Sequence, residues 1–214
     1  MNGYGRHGKR RMSNGTEPEG ATPGGDTSGL IRTDLTTSDA RNAAETEAID
    51  ETYAKYVHKA RKKKPGSGWL TDELIRKVHS DMFGSIWEWA GKYRRHNSNL
   101  GVQWLRIPEE VKKFCGDFAV WDSDGSMPVL EIAARLQNRL TWIHPFTNGN
   151  GRHARLITDI FFDSREHRLP EWPQIHRMAQ GDAIRTQYIN AMKTADQGKY
   201  EDLVNFMKEY LKSD

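Results

Sequence analysis

The chain has 214 residues, 36% of them hydrophobic, and its 32 Lys and Arg against 29 Asp and Glu leave a net charge of +3. That length suits one ordinary domain with appendages, and the charge is too mild to argue nucleic-acid binding. No apolar run approaches the roughly 20 residues of a membrane helix, and no apolar segment follows the basic N-terminus as a secretory signal requires, so a cytoplasmic protein is predicted.

Residues 1–29 are rich in Gly, Ser, Thr, Pro and Glu and hold almost no large apolar side chains. Such a stretch cannot bury enough surface to offset the entropy of ordering it, so it reads as a disordered tail. Its basic cluster, Arg6, Lys9, Arg10 and Arg11, reads as solvated. Order is expected from Leu30, with a helical N-terminal extension over 30–66. There, "TTSD" offers cap residues, and Ala44, Ala48, Ile49, Tyr53, Tyr56 and Val57 recur at helical spacing. Lys62, Lys63 and Lys64 suit the end of that helix, where its dipole favours cations, and "PGSG" breaks it.

A core domain is predicted over 67–214. Its first helix opens at Thr71 with Asp72 and Glu73 in the first turn. That helix buries Leu74, Ile75, Val78 and Met82, and it stops at Gly84. Trp87 and Trp89 follow as core anchors. "HNSNLGVQWLRIP" is poor in helix formers and alternates around Val102, Trp104 and Arg106, which predicts a β-hairpin flap turning near Asn99 to Gly101. Helical pattern returns at "PEEVKKFCGDFAVW", whose Cys115 reads as a semi-buried thiol; a lone cysteine closes no internal disulfide. Further helices follow over 129–143, around Leu156 to Phe161, and as a closing pair, "GDAIRTQYINAMKTA" and "YEDLVNFMKEYLK". The fold class is therefore all-α, with one small β insertion.

Between two of these helices stands "HPFTNGNGRHAR", residues 144–155. Pro145 cannot continue the helix before it, so His144 is held at a helix terminus facing the loop. Gly149 and Gly151 let backbone amides approach a ligand without a Cβ in the way. The next helix then offers its free N–H groups and positive dipole end to an anion. Arg152 and Arg155 lie three apart on its first turn, and their planar forks suit phosphate oxygens. A base, an amide nest and paired arginines are the parts that phosphoryl or nucleotidyl transfer requires. Phe146 reads as the loop's anchor in the core. Asn148 offers an oxygen to a magnesium ion, as a weaker ligand than a carboxylate. No Lys-Ser/Thr follows the glycines, so this is not an ATPase P-loop, and His144 and His153 do not fit a zinc spacing.

This run resembles the signature of the Fic domain family, His-Pro-Phe-x-(Asp/Glu)-Gly-Asn-Gly-Arg-x-x-Arg. "MFGSIWEWAGKYR" is similar to the family's segment before its flap, and "YINAMKTADQGKYEDLVNF" to its closing helices. "GLIRTDLTT" and the asparagine in the motif further resemble the subgroup called mobile mystery protein B. The resemblance implies a Fic-like helical bundle that transfers AMP from ATP to a Tyr, Thr or Ser hydroxyl of a target protein, with ATP and magnesium as cofactors and pyrophosphate released.

Carried onto this chain, His144 would deprotonate the hydroxyl, while Gly149, Asn150 and Gly151 cradle phosphates and Arg152 and Arg155 hold the β and γ phosphates. Tyr188 and Asp196 would lie beside the nucleoside, and the flap at Leu100, Gly101 and Val102 would pair with the target backbone as an added strand. Asn148 departs from the pattern. It leaves open AMP transfer with a weakened metal, another nucleotidyl or phosphoryl donor, or a catalytically weak nucleotide-binding module in a regulatory or toxin-antitoxin-like pair.

Many relatives are silenced by a helix whose glutamate pairs with the second motif arginine, and that helix's sequence is not matched here. Glu45 is the nearest substitute as an inhibitory residue, although its context reads as a solvent-facing helix position. A separate antitoxin-like or helix-turn-helix partner is the other expectation.

Overall fold

The computed structural model describes residues 27–173 and 181–211. Most of the expected tail, residues 1–26 with the cluster Arg6, Lys9, Arg10 and Arg11, lies outside the described residues. The described chain is all-α. It forms α1 (Ser38–Tyr56), α2 (Asp72–Phe83), α3 (Ile107–Asp124), α4 (Val129–Ile143), α5 (Asn150–Ser164), α6 (Ala183–Asp196) and α7 (Glu201–Glu209). Extended pairing among the described residues is limited to isolated bridges, such as Leu30 with Trp87 and Tyr93 with Phe146.

Local chemistry sets the helix ends. The Thr37 hydroxyl accepts the Ala40 N–H to cap α1, and the Thr71 hydroxyl accepts the Leu74 N–H to cap α2. Gly84 closes α2, as its position in the sequence implies. Helix α1 ends at Tyr56, earlier than the lysine run. Val57 turns extended and is fully buried, His58 takes φ 66°, and the Ala60 N–H donates to the buried Asp163 carboxylate on α5. That anchor draws the chain off the helical path. Lys62 closes a short 3₁₀ turn and Lys63 and Lys64 follow it, so none of the three caps α1.

Helices α4 and α5 lie side by side at the centre. α4 also touches α3, α6 and α7, whereas α5 touches α2 and α1 covers α2. Helix α5 is buried nearly all round, polar residues included, the pattern of a helix surrounded by others. Its Phe161 and Phe162 and the α3 residues Phe114 and Phe118 are fully buried. The loop joining α4 to α5 thus springs from the two central, most enclosed helices, which hold its groups in place.

Candidate active site

His144 caps the C-terminus of α4 with φ 51° and ψ 58°, a left-handed conformation uncommon for a residue with a side chain. Its amide donates to the Leu140 carbonyl, and Pro145 stops the helix there. The ring Nδ1 faces the Thr141 carbonyl at 3.4 Å. With the proton assigned to Nδ1 by that contact, the Nε2 lone pair is free. Burial pushes the imidazole down to about 4, so it is neutral at neutral pH.

Three side chains hold the loop beside it. The Arg94 guanidinium donates to the His144 carbonyl at 2.7 Å, to His96 O at 2.8 Å and to Val102 O. The Asn150 Oδ1 accepts the Phe146 N–H at 2.9 Å and its Nδ2 donates to Phe146 O at 2.8 Å, closing the loop as a backbone turn would. Phe146 is fully buried and stacks on His79 at 3.6 Å. His79 accepts the Gly91 N–H at Nδ1, so its Nε2–H donates to Asn148 O, each at 3.0 Å. Burial lowers its pKa and keeps it neutral. Arg94 and His79 escaped the sequence reading. The one signal for His79 is a polar residue beside the buried stripe Ile75, Val78 and Met82.

Helix α5 begins at Gly149, whose φ of 77° suits glycine, and a Cβ there would lie 2.5 Å from the Phe83 ring. The Asn148 Oδ1 accepts the Gly149 N–H at 2.6 Å. The N–H groups of Asn150, Gly151 and Arg152 find no acceptor among the described residues, leaving the usual open donors of a helix start. The nest therefore draws on the Asn150 backbone, because its side chain is committed to Phe146.

The two motif arginines differ. Arg152 lies 4.9 Å over the Phe83 ring, and its Nη1 sits 2.5 Å from the Glu45 Oε2. The other Glu45 oxygen accepts the Trp87 indole N–H at 2.7 Å. Glu45 is thus buried, 5% exposed, and not solvent-facing as its helix context implied, because α1 lies with this edge against α2 and Trp87. Arg155 is 8% exposed and makes no hydrogen bond or ion pair among the described residues.

The Asn148 Oδ1, the expected magnesium ligand, is turned back on Gly149, so it would meet an ion with one remaining lone pair and no charge. The described residues hold no group of three His, Cys, Asp or Glu able to share a metal. Tyr188 is buried against Phe206, and its hydroxyl accepts from Gln137 Nε2 at 2.9 Å. The Asp196 carboxylate accepts from Asn138 Nδ2 at 2.7 Å. Gln137 and Asn138 lie about 10 Å down α4 from His144.

The flap is not a β-hairpin. It runs as bends from Arg95 to Val102 and ends in a 3₁₀ turn, Trp104–Arg106. The backbone groups of Leu100 and Val102 are met by side chains and the motif. Ser98 Oγ donates to Leu100 O and accepts from Leu100 N, while Val102 N donates to Ile143 O at 3.4 Å. Gly101 lies flat on His144, with φ 87° and no room for a Cβ, which would fall 2.8 Å from Ile143 O. The alternation read as a strand is real, but Arg94 gathers carbonyls from both sides of the segment and a ladder cannot form.

The family model described as Fic/DOC family matches residues 69–162. These residues are a Fic domain. The protein adenylyltransferase Fic of Nematostella vectensis is 33% identical over 114 residues, covering 51% of this chain and 26% of its own length. The chain thus spans about a quarter of that relative. Fic-1 from C. elegans shares the fold at a TM-score of 0.64 and 20% identity, over 79% of this chain and 48% of that one. The N-terminal Fic domain of a cell filamentation protein from Bartonella quintana, solved with bound ADP, shares it at a TM-score of 0.56 and 15% identity, over 84% and 88%. The match ends at Phe162, so α6, α7, Tyr188 and Asp196 lie beyond the matched span. No helix among the described residues is long and apolar enough to cross a membrane.

Proposed function

We propose that the chain transfers AMP from ATP to a hydroxyl side chain of a protein. The observation that carries this reading is a neutral, buried His144 across a short loop from Arg155, a buried arginine with no anion of its own. A buried guanidinium without a counter-charge is costly, and triphosphate oxygens would supply the missing charge. The relative named protein adenylyltransferase and the neighbour with bound ADP support nucleotide chemistry at this place.

In this reading the β and γ phosphates lie on the open N–H groups of Asn150, Gly151 and Arg152 and against Arg155. His144 Nε2 takes the hydroxyl proton as the oxygen attacks the α-phosphorus, and the bond to the β-phosphate oxygen breaks to release pyrophosphate. Phosphate charge beside the imidazole raises its proton affinity toward the neutral range, which suits a general base. Gly101 of the flap, flat on His144, fixes the entrance for the incoming hydroxyl. Asn148, its oxygen shared with the Gly149 N–H, would hold magnesium only weakly, and no step is assigned to the ion.

Glu45 acts as an internal brake, because the Arg152 Nη1 cannot face both its carboxylate and a phosphate. That pair also favours a second reading, a nucleotide-binding module of weak activity in a regulatory pair, in which a partner protein acts by holding or moving α1. ATP labelled at the α-phosphate separates the two. Transfer predicts labelled protein that disappears with His144→Ala, with the mass of AMP on the intact product. A different added mass would point to another donor. Nucleotide binding with no label under any condition, Glu45→Gln included, would leave only the module.

A further inference from the structure

Beside the flap lies a cleft of about 800 Å³ that reaches the motif at Thr147. Its charged lining is entirely basic: Arg76, Lys92, Arg94 and Arg95. Arg94 is buried on backbone carbonyls, so its charge meets no carboxylate. Lys92 and Arg95 are exposed and form no ion pair among the described residues. Asp72 stands 3.9 Å from Arg76 and already accepts the Tyr93 hydroxyl, and Asp72 and Glu73 line a neighbouring pocket with Arg76 and Lys92 rather than this cleft. At the rim, Leu105 is 70% exposed, the most exposed large apolar side chain described, next to the partly buried Trp104.

We infer that this cleft docks an acidic segment of a partner protein, one that carries an apolar side chain among its carboxylates. Unpaired cations facing a confined cleft favour carboxylates, and Leu105 with Trp104 offers the apolar contact that anchors such a segment. Single-stranded nucleic acid is the competing class, since it too combines negative charge with flat groups. It needs open aromatic faces for stacking. Here Arg76 covers the Tyr93 ring at 5.5 Å and Trp89 already stacks on Trp87 at 5.2 Å. That leaves Trp104 of the three lining aromatics for stacking, one face where successive bases need several.

The flap adds a reason. Its Leu100 and Val102 backbone groups are bonded internally, so side-chain recognition in the adjoining cleft needs no rearrangement, whereas strand addition does. If the AMP-transfer reading holds, on which this role rests, the occupant is the protein that presents the acceptor hydroxyl.

The test is binding without nucleotide, so that it stands apart from catalysis. Fluorescence anisotropy of a labelled dodecapeptide of Asp and Glu with one central Leu is read against the full chain. Expected are saturable binding that weakens as salt rises, at least tenfold loss in Lys92→Glu/Arg95→Glu, and an intermediate loss in Lys92→Gln/Arg95→Gln. The same peptide with Asn and Gln should not bind. Equal binding by the neutral peptide, unchanged binding in both double variants, or preference for an RNA oligonucleotide would each overturn the inference. Thermal melts of the variants identify a folding defect, and the neutral pair then decides. Self-labelling with ATP is scored separately. If label is missing while the peptide binds, AMP transfer fails and the cleft stands; if label is present without peptide binding, the reverse holds.

Discussion

Glu45 and Arg152, 107 residues apart in sequence, meet at 2.5 Å inside the fold, while Arg155 one turn further along α5 has no such partner. The two motif arginines are therefore in different electrostatic states. Arg155 presents an uncompensated charge, whereas Arg152 is held by α1. Because α1 lies outside the matched span, the contact ties an appended helix to the phosphate end of the site.

Replacing Glu45 with Gln should free Arg152 while keeping an oxygen for the Trp87 indole. Nucleotide affinity is expected to rise about tenfold, a change of about 1.4 kcal/mol, with self-labelling rising in step. Stability should fall by about 1–3 kcal/mol, since the variant breaks a largely buried ion pair. Titration calorimetry with a non-hydrolysable ATP analogue reads the first effect and urea unfolding the second. An unchanged affinity would reduce the pair to a structural strut.

The opposite balance is expected at Arg155. Met fills a similar volume without a charge to bury, so Arg155→Met should leave stability unchanged or raise it by about 1 kcal/mol. The same variant should lose the thermal shift that saturating ATP gives the parent chain. Melting curves with and without ATP supply both readings. A loss of several kcal/mol without ligand would mean that Arg155 is held by a structural partner.

What could be read in advance follows the range of the interactions. Thr71 and Gly84 bound α2 as expected because caps act within one turn. The His144 to Arg155 run was legible for a similar reason, since its base, glycines and arginines stand in one register. Elements fixed by distant partners were misread. Glu45 looks exposed on its own helix and is buried by Trp87 and Arg152. The flap alternates like a strand, yet Arg94 takes its carbonyls. The lysines after Tyr56 suited a helix end, but Asp163 draws the chain away first. At Asn150 the sequence pattern did not separate backbone from side chain: the N–H stays open at the start of α5, and the side-chain amide closes the loop on Phe146.

Asn148 is the position where the motif departs from the family pattern, and its side chain already accepts the Gly149 N–H. An aspartate would accept the same bond and add a charge that the start of α5 favours. Asn148→Asp is therefore expected to fold at least as well as the parent, and to label faster when magnesium is limiting. Initial rates across a magnesium titration check it. An unaltered magnesium dependence would exclude position 148 as a ligand even when a carboxylate stands there.

Three buried histidines set the response to acid. Burial pushes His144 and His153 to about 4 and lowers His79 as well, against an ordinary value of 6.5. His79 and His153 also lie 5.5 Å apart, so a proton on one opposes a proton on the other. Between pH 6.5 and 4 the unfolded chain binds protons that the folded chain refuses, so stability must fall as pH drops through that window. Above 6.5 all three are neutral in both states and contribute no slope. His144 and His153 each account for about 3 kcal/mol once pH is below both values. Urea midpoints at pH 7.5, 5.5 and 4.5 should decline in that order, and His153→Gln should shrink the decline by one histidine's share. A flat profile from 6.5 to 4.5 would show that these rings take up protons in place, and the fixed Nδ1–H of His144 would go with it.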